Sequence, residues 1–400
     1  MAESPPETQA VTTAPSRAQA IPWDILILSA SFAFIFMGAG AQQQFLVPYF
    51  SAHGVWSPVV VGLIPASVYI SMTVWRVPAL WIVARIGERR AMLVGGAAYV
   101  AFPAAIYLLS SYPLLVISAA TWGLGATLMW VTSSIRILDA ASRRSYGRAS
   151  GFFFGCVHCG ILVGMLVLSW IAGTWSLREV FLAASGISLV GWVLMTTLPA
   201  RHVERRRPDM ATVVSMTRTP GWRVVAALLG LSSVGYGLML GPLGQNIVEE
   251  LGVSSLALAA VYPTARLIVS ISGGWLSDAI GRRGVIVGGF FLAGAGLALT
   301  ALAKGSPFAL AAGIFAIGLL GGVAPAMGLA FVGDTAGGES RLMLHSTLFT
   351  VNDAGVAAAI LTGQFLRSAM GGSGSTFGFF AVVLTLCGVW SLLTFRPKRA

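Results

Sequence analysis

Ile271-Ser-Gly-Gly-Trp-Leu-Ser-Asp-Ala-Ile-Gly-Arg-Arg-Gly284 decides how this chain is read. An apolar run, Ser255 to Ile271, leads into it, and another, Val285 to Ala303, leads out. Each run approaches the length of a bilayer-spanning helix, about 20 residues. A turn of glycines, one aspartate and two arginines between two such runs has no place in hydrocarbon. It faces water, and its arginines favour the cytoplasmic side.

The composition points the same way. Of 400 residues, 56% are hydrophobic and 10% charged, against roughly 25% charged in a soluble domain. Forty-eight glycines suit helices that approach one another closely in lipid. The net charge of +11 does not imply nucleic acid, because the basic residues are scattered in short runs rather than gathered on one face. Cys156, Cys159 and Cys387 all lie in apolar runs, so no disulfide framework is expected. Met1 to Ala20 lacks the basic region and apolar core of a signal peptide and reads as part of a disordered cytoplasmic tail, 1–23.

Twelve membrane-length runs follow, at 24–47, 57–84, 91–110, 113–138, 149–172, 178–198, 223–247, 254–277, 284–303, 307–333, 342–367 and 376–395. The one long interior connection, 200–222, is polar. It divides the runs into two sets of six, 24–199 and 223–396. With the N-terminus inside, twenty of the 25 basic residues fall on inside loops and tails. Three (Arg178, Lys304, Arg367) fall outside, and Arg76 and Arg266 lie within spans. That bias places both termini in the cytoplasm of a cell-membrane protein. The halves also repeat. Ala84-Arg-Ile-Gly-Glu-Arg-Arg90 follows the second span as Asp278-Ala-Ile-Gly-Arg-Arg-Gly284 follows the eighth. Asp139 and Asp334 close the fourth and tenth spans alike.

Gly274, Asp278, Gly281, Arg282 and Arg283 resemble the signature of the major facilitator superfamily of secondary transporters, found between the second and third helices of a six-helix half. The resemblance implies an all-α membrane protein of 12 transmembrane helices in two pseudo-symmetric six-helix bundles. It also implies a substrate site between them near the midplane and transport by alternating access. The first-half copy departs from the signature. Arg85 and Gly87 survive, but Leu80, Ala84 and Glu88 stand where a glycine, an aspartate and a basic residue belong. The gating ion pair is therefore expected in the second half only, at Asp278.

Charges at mid-bilayer cost at least ~2.5–3.5 kcal/mol each and need a partner, a cavity or a use. From the helical rise, Arg76 lies about 16 Å, and Arg266 and Asp353 about 18 Å, from the inside loops. Asp353 is the one acidic residue placed mid-span and is the candidate for proton coupling. The resemblance puts the eighth and eleventh helices in one half, so Arg266 and Asp353 can pair, as a strut or as part of the coupling. Arg76 has no acidic partner in its own half. It either faces the cavity or bonds backbone carbonyls. Two arginines against one carboxylate favour a substrate carrying a carboxylate or phosphate. Arg136 and Asp139, one turn apart, read as a loop clamp.

Gln42, Gln43 and Gln44 in the first span match Gln245 and Asn246 in the seventh as cavity-lining groups or as interfacial polar residues. Gly38, Gly40, Gly235, Gly237, Gly241 and Pro242 loosen both helices there, as an outer gate would require. Tyr69, Trp75, Tyr236 and Tyr262 can form an amphipathic wall. Cys156-Val-His158-Cys159 has metal-motif spacing but no second ligand pair, so a structural role is expected and no metal. His158 can still face the cavity and titrate. No phosphate-binding loop and no nucleophile–base arrangement stands out, so neither ATP drive, a cofactor nor enzymatic chemistry is expected.

The reading is a monomeric, proton-coupled transporter of a small organic solute, more anionic than neutral. The alternative is proton-driven efflux of drugs or amphiphilic natural products. Gly155, Gly160 and Gly164 without a proline weaken it, since the family's drug exporters carry a glycine–proline motif in the fifth helix. A non-transporting membrane sensor, normally extended by a soluble domain, is a further alternative that the short tails disfavour.

Overall fold

A computed structural model describes residues 21–52, 56–140, 146–200, 210–335 and 338–394. The expectations for the tail 1–20 and for the linker segment 201–209 lie outside the described residues, as do the side-chain surroundings of Asp139, Gly274, Asp278 and Asp334. The chain forms helices α1 (Trp23–Ala52), α2 (Pro58–Trp75), α3 (Glu88–Leu108), α4 (Tyr112–Ile137), α5 (Ala149–Thr174) and α6 (Leu177–Thr196). A second set follows: α7 (Pro220–Leu251), α8 (Val253–Ser272), α9 (Ile280–Leu302), α10 (Pro307–Pro325), α11 (Gly338–Ala369) and α12 (Ser373–Thr394). They build two six-helix bundles, with no strand among the described residues.

Eleven of the helices are long and apolar enough to cross a membrane. The exception is α11, which has the length, 32 residues, but carries His345, Asn352, Asp353, Gln364 and Arg367. His345, Asp353 and Gln364 are buried, so the helix hides part of its polarity against its neighbours. Large apolar side chains such as Ile117, Leu166, Trp170, Val190, Leu292, Phe365 and Leu386 are exposed instead. Exposed apolar surface on such helices is what lipid solvates.

Local chemistry sets the helix ends. Ser57, Ser176 and Thr219 accept the backbone N–H three residues on, at 3.4, 3.3 and 3.4 Å, and Pro58 and Pro220 occupy the first turns of α2 and α7. The repeated loop is visible in the backbone. Gly87 (φ +86°) and Gly281 (φ +76°) both take a left-handed conformation that only glycine adopts without strain. Near Gly87, α2 has already turned at Arg76–Pro78 and resumed as a short helix, Ala79–Ile86, because Pro78 has no N–H to give.

The loosened stretches of α1 and α7 are where the sequence places them. Each opens into one wide π turn, at Phe36–Gly40 and Met239–Leu243, the second with Gly241 outside helical geometry beside Pro242. The glycines of α5 have a packing role: Gly160 and Gly164 press against the carbonyls of Ala33 and Met37, which a side chain would push away.

Glu88 and Arg136 take an arrangement the sequence does not reveal. Arg136, fully buried, donates through Nε to Glu88 Oε1 (2.6 Å) and through Nη2 to the Pro199 carbonyl (2.8 Å), with Asp24 3.9 Å away. The first-half loop thus forms a clamp joining α1, α3, α4 and the chain after α6. The acidic residue that breaks the signature is the clamp's main anchor.

Candidate functional site

A cavity of about 140 Å³ lies between the two bundles. Its wall is built from helical stripes, each a repeat of three or four residues that returns side chains to one face. The end of α2 gives Tyr69, Met72 and Arg76; α4 gives Trp122, Ala126, Trp130 and Ser134; α5 gives Phe154, Val157, His158 and Ile161. From the other bundle, α8 gives Tyr262 and Arg266, and α11 gives His345, Phe349, Asn352, Asp353 and Val356.

Arg76 and Asp353 meet across the two bundles. Arg76 Nε donates to Asp353 Oδ2 at 2.9 Å and Nη2 lies 2.6 Å from the same oxygen; both residues are at most 3% exposed. Asn352 donates to the other carboxylate oxygen at 3.4 Å, and the guanidinium sits 5.7 Å from the Phe349 ring centre. The pairing of Asp353 with Arg266 that its half-membership suggested does not form. Helix α11 faces α2 across the interface, where Gly62 packs on Gln364, whereas α8 faces α5, where Gly155 packs on Leu267, and α5 carries no acidic residue.

Arg266 therefore keeps its charge to itself. Its guanidinium lies 5.4 Å from the Tyr236 ring centre and 5.9 Å from that of Tyr262, cation–π contacts that hold it without neutralising it. Its Nε is buried with no hydrogen-bond partner, and among the described residues no carboxylate pairs with it. The tyrosines form a second cross-bundle link. The Tyr69 hydroxyl donates to Gln43 Oε1 at 2.8 Å, and the hydroxyls of Tyr69 and Tyr236 share a 3.3 Å hydrogen bond.

Of the expected substrate-binding residues, Arg76, Arg266, Gln43, Tyr69, Tyr236 and Tyr262 come together with Asp353 on the cavity wall. Gln42, Gln44, Gln245 and Asn246 do not. Consecutive helical residues point about 100° apart, so with Gln43 on the cavity its two neighbours turn away. Gln245 and Asn246 lie beyond the α7 break, and Gln245 donates to Glu249 (3.1 Å). Gln44 instead places its carbonyl against Gly244, part of a seam between α1 and α7. Trp75 is exposed. Of the gating residues, Arg85 and Arg282 are exposed, while Arg283 donates to the Leu392 carbonyl (2.9 Å).

The sequence reading missed His345, Trp122, Trp130, Phe154 and Asn352. Their signal was present as helical spacing: His345, Phe349, Asn352 and Val356 fall on one stripe, as do Trp122, Ala126, Trp130 and Ser134. His158, raised only as an option, does face the cavity; its sequence neighbour Cys159 is exposed on another side of α5.

The family model described as Major Facilitator Superfamily matches residues 26–262 and 225–400. Among solved structures, the chain is similar to the nucleoside transporter NupG, with TM-score 0.74, 12% identity, and 94% of this chain and 100% of that chain covered. It is also similar to a POT family transporter in complex with 5-aminolevulinic acid, with TM-score 0.75, 16% identity, and 94% and 96% covered. At such identities the likeness is one of fold. No curated protein sequence matches the chain.

Proposed function

The chain belongs to the major facilitator superfamily and is a multi-pass membrane transporter of a small solute, not an enzyme; from that premise we propose that it is proton-coupled, works by alternating access and carries an organic anion. Both termini face the cytoplasm, the boundary between the bundles lies in 200–222, and a monomer suffices. One observation carries the reading: the cavity between the bundles holds three central charges, of which two cancel and Arg266 remains. A buried positive charge with no counter-ion is costly, and a substrate carboxylate or phosphate would supply the missing one.

Asp353 is the proton carrier in this scheme. As a carboxylate it ties α11 to Arg76 and so to the other bundle. Once protonated it loses the charge that holds Arg76, and the bundles are free to part on one side. The solute joins Arg266 from that side. The outer gate is the pair of wide turns in α1 and α7, and the inner one involves Arg85, Gly87, Gly274, Asp278, Gly281, Arg282 and Arg283. Of the two structural neighbours, one was solved with 5-aminolevulinic acid, a zwitterion that brings both a carboxylate and an ammonium, and the other is a nucleoside transporter, so the anion reading rests on Arg266 and not on these neighbours.

Asp353→Asn separates the parts. In proteoliposomes with an imposed proton gradient, accumulation should be lost while counterflow of preloaded solute survives. Full gradient-driven accumulation in that variant removes Asp353 from the coupling. Efflux of amphiphiles is the second reading, favoured by the aromatic part of the cavity wall. Growth-inhibition tests on an expressing host distinguish it, since export would raise tolerance.

A further inference from the structure

The cavity wall differs in chemistry from one bundle to the other. On the first bundle, rings run in contact from Tyr99 and Trp122 (5.3 Å between centres) through Phe36 (5.5 Å from Tyr99) and Trp130 (5.3 Å from Phe36) to Phe154 (6.1 Å) and then His158 (6.5 Å). On the second bundle the wall carries Arg266, Asp353, Asn352 and two serines between the rings of Tyr236, Tyr262 and Phe349, while Arg76 on the first bundle is neutralised by Asp353. A solute filling this space presents a flat apolar body to one side and a charged group to the other.

The unused hydrogen-bonding capacity is also one-sided. Four cavity-lining groups are buried without a partner: Trp122 Nε1, His158 Nδ1, Tyr262 Oη and Arg266 Nε. An indole and a guanidinium nitrogen can only donate, a phenol can donate, and a neutral imidazole nitrogen can do either. A buried donor left unpaired has lost its water and gained nothing in return. A ligand that brings acceptors would satisfy these donors. It needs more than one, because Trp122 on α4 and Arg266 on α8 belong to opposite walls.

We infer that the solute is an aromatic carboxylate bearing a second hydrogen-bond acceptor at the far end of its ring. The carboxylate meets Arg266, the ring lies along the chain of rings on the first bundle, and the distal acceptor takes the Trp122 N–H. His158, at the end of that ring chain, and Tyr262, beside Arg266, complete the carboxylate's hydrogen bonds. The cavity of about 140 Å³ has room for the ring itself, since one of about 150 Å³ admits benzene. A cationic amine of the same outline would meet the charge of Arg266 with the wrong sign. The inference rests on the cavity being the substrate site, and it narrows the anion proposed above to one chemical class.

The test is thermal stabilisation of the full-length purified protein by four probes. They are para-methoxybenzoate, its primary amide, its cyclohexane analogue and benzoate. Para-methoxybenzoate should raise the melting temperature at concentrations at least tenfold below those needed for the other three. Trp122→Phe keeps an aromatic ring but removes the N–H together with part of the indole, so benzoate, which lacks the distal acceptor, is the control for lost packing: para-methoxybenzoate should bind this variant no better than benzoate does. Arg266→Gln should weaken both acids at least tenfold.

Equal binding by the cyclohexane analogue overturns the aromatic requirement and leaves an anion site. An unchanged preference in Trp122→Phe overturns the distal acceptor. An amide as effective as the acid, or full affinity in Arg266→Gln, overturns this inference and the anion reading together. Stabilisation by none of the four overturns this inference, while the accumulation assay on Asp353→Asn still tests the transport scheme independently.

Discussion

Arg76 and Arg266 lie one in each bundle, 11 residues before Gly87 and 15 before Gly281, yet they have opposite surroundings. Arg76 meets Asp353 at 2.6 Å and is neutralised. Arg266 meets only the faces of Tyr236 and Tyr262 and remains a cation. The difference comes from what each helix packs against. Arg76 sits where α2 faces α11 across the bundle interface, and α11 brings the acid. Arg266 sits on α8, which faces α5 across the same interface, and α5 offers Phe154, Val157 and His158 to the cavity but no acid. Depth in the membrane makes a charge expensive; the packed neighbour decides whether it becomes a strut or a docking point.

The comparison breaks most readily at Arg76. Arg76→Gln leaves Asp353 buried without its partner, and removing one member of a buried pair costs about 3–5 kcal/mol. Unfolding in detergent should register that loss. The double variant Arg76→Gln/Asp353→Asn should regain most of the stability without regaining proton-driven accumulation. A single variant as stable as the parent would show that the pair contributes nothing.

Arg266→Gln should do the reverse. Its melting temperature without solute should stay level or rise, because no ion pair is broken. Its affinity for an organic anion should fall tenfold or more, a loss of about 1.4 kcal/mol or greater. Lowered stability with intact affinity would make Arg266 the strut and Arg76 the docking point. The smallest effect is expected at Arg367, which donates to both oxygens of the half-exposed Glu249 at the far end of α11 and α7. Surface pairs contribute roughly 0–1 kcal/mol, so Arg367→Gln should scarcely move the melting temperature and should leave transport unchanged. A large drop there would mean that the seam between α7 and α11 matters more than the central pair.

Much of the fold was legible in advance because it follows from local rules. Apolar runs of bilayer length and the glycines at 87 and 281 each act through their immediate neighbours in sequence, as do the caps Ser57, Ser176 and Thr219, which the sequence reading did not single out. The looseness of α1 and α7 was legible for the same reason. The run at 342–367 was legible too, although α11 is less apolar than the other eleven because it hides part of its polarity inside the protein. The candidate site was legible only in part. Arg76, Arg266 and Asp353 stand out as charges in apolar runs, but the ring wall of Trp122, Trp130 and Phe154 looks like ordinary membrane sequence. Among Gln42, Gln43 and Gln44, nothing in the letters says which one faces inward.

The sequence by itself determined twelve rods, their division into two sets, and the depth at which three charges lie, because each depends on composition along the chain and on a fixed rise per residue. Only the tertiary structure decided that Asp353 meets an arginine 277 residues away rather than the one in its own half, that Glu88 anchors a clamp on Arg136, and that Arg266 is left without a counter-charge. Those outcomes depend on how each rod is turned about its axis and on which rod lies beside it. Packing between distant segments sets both, and no local pattern encodes them.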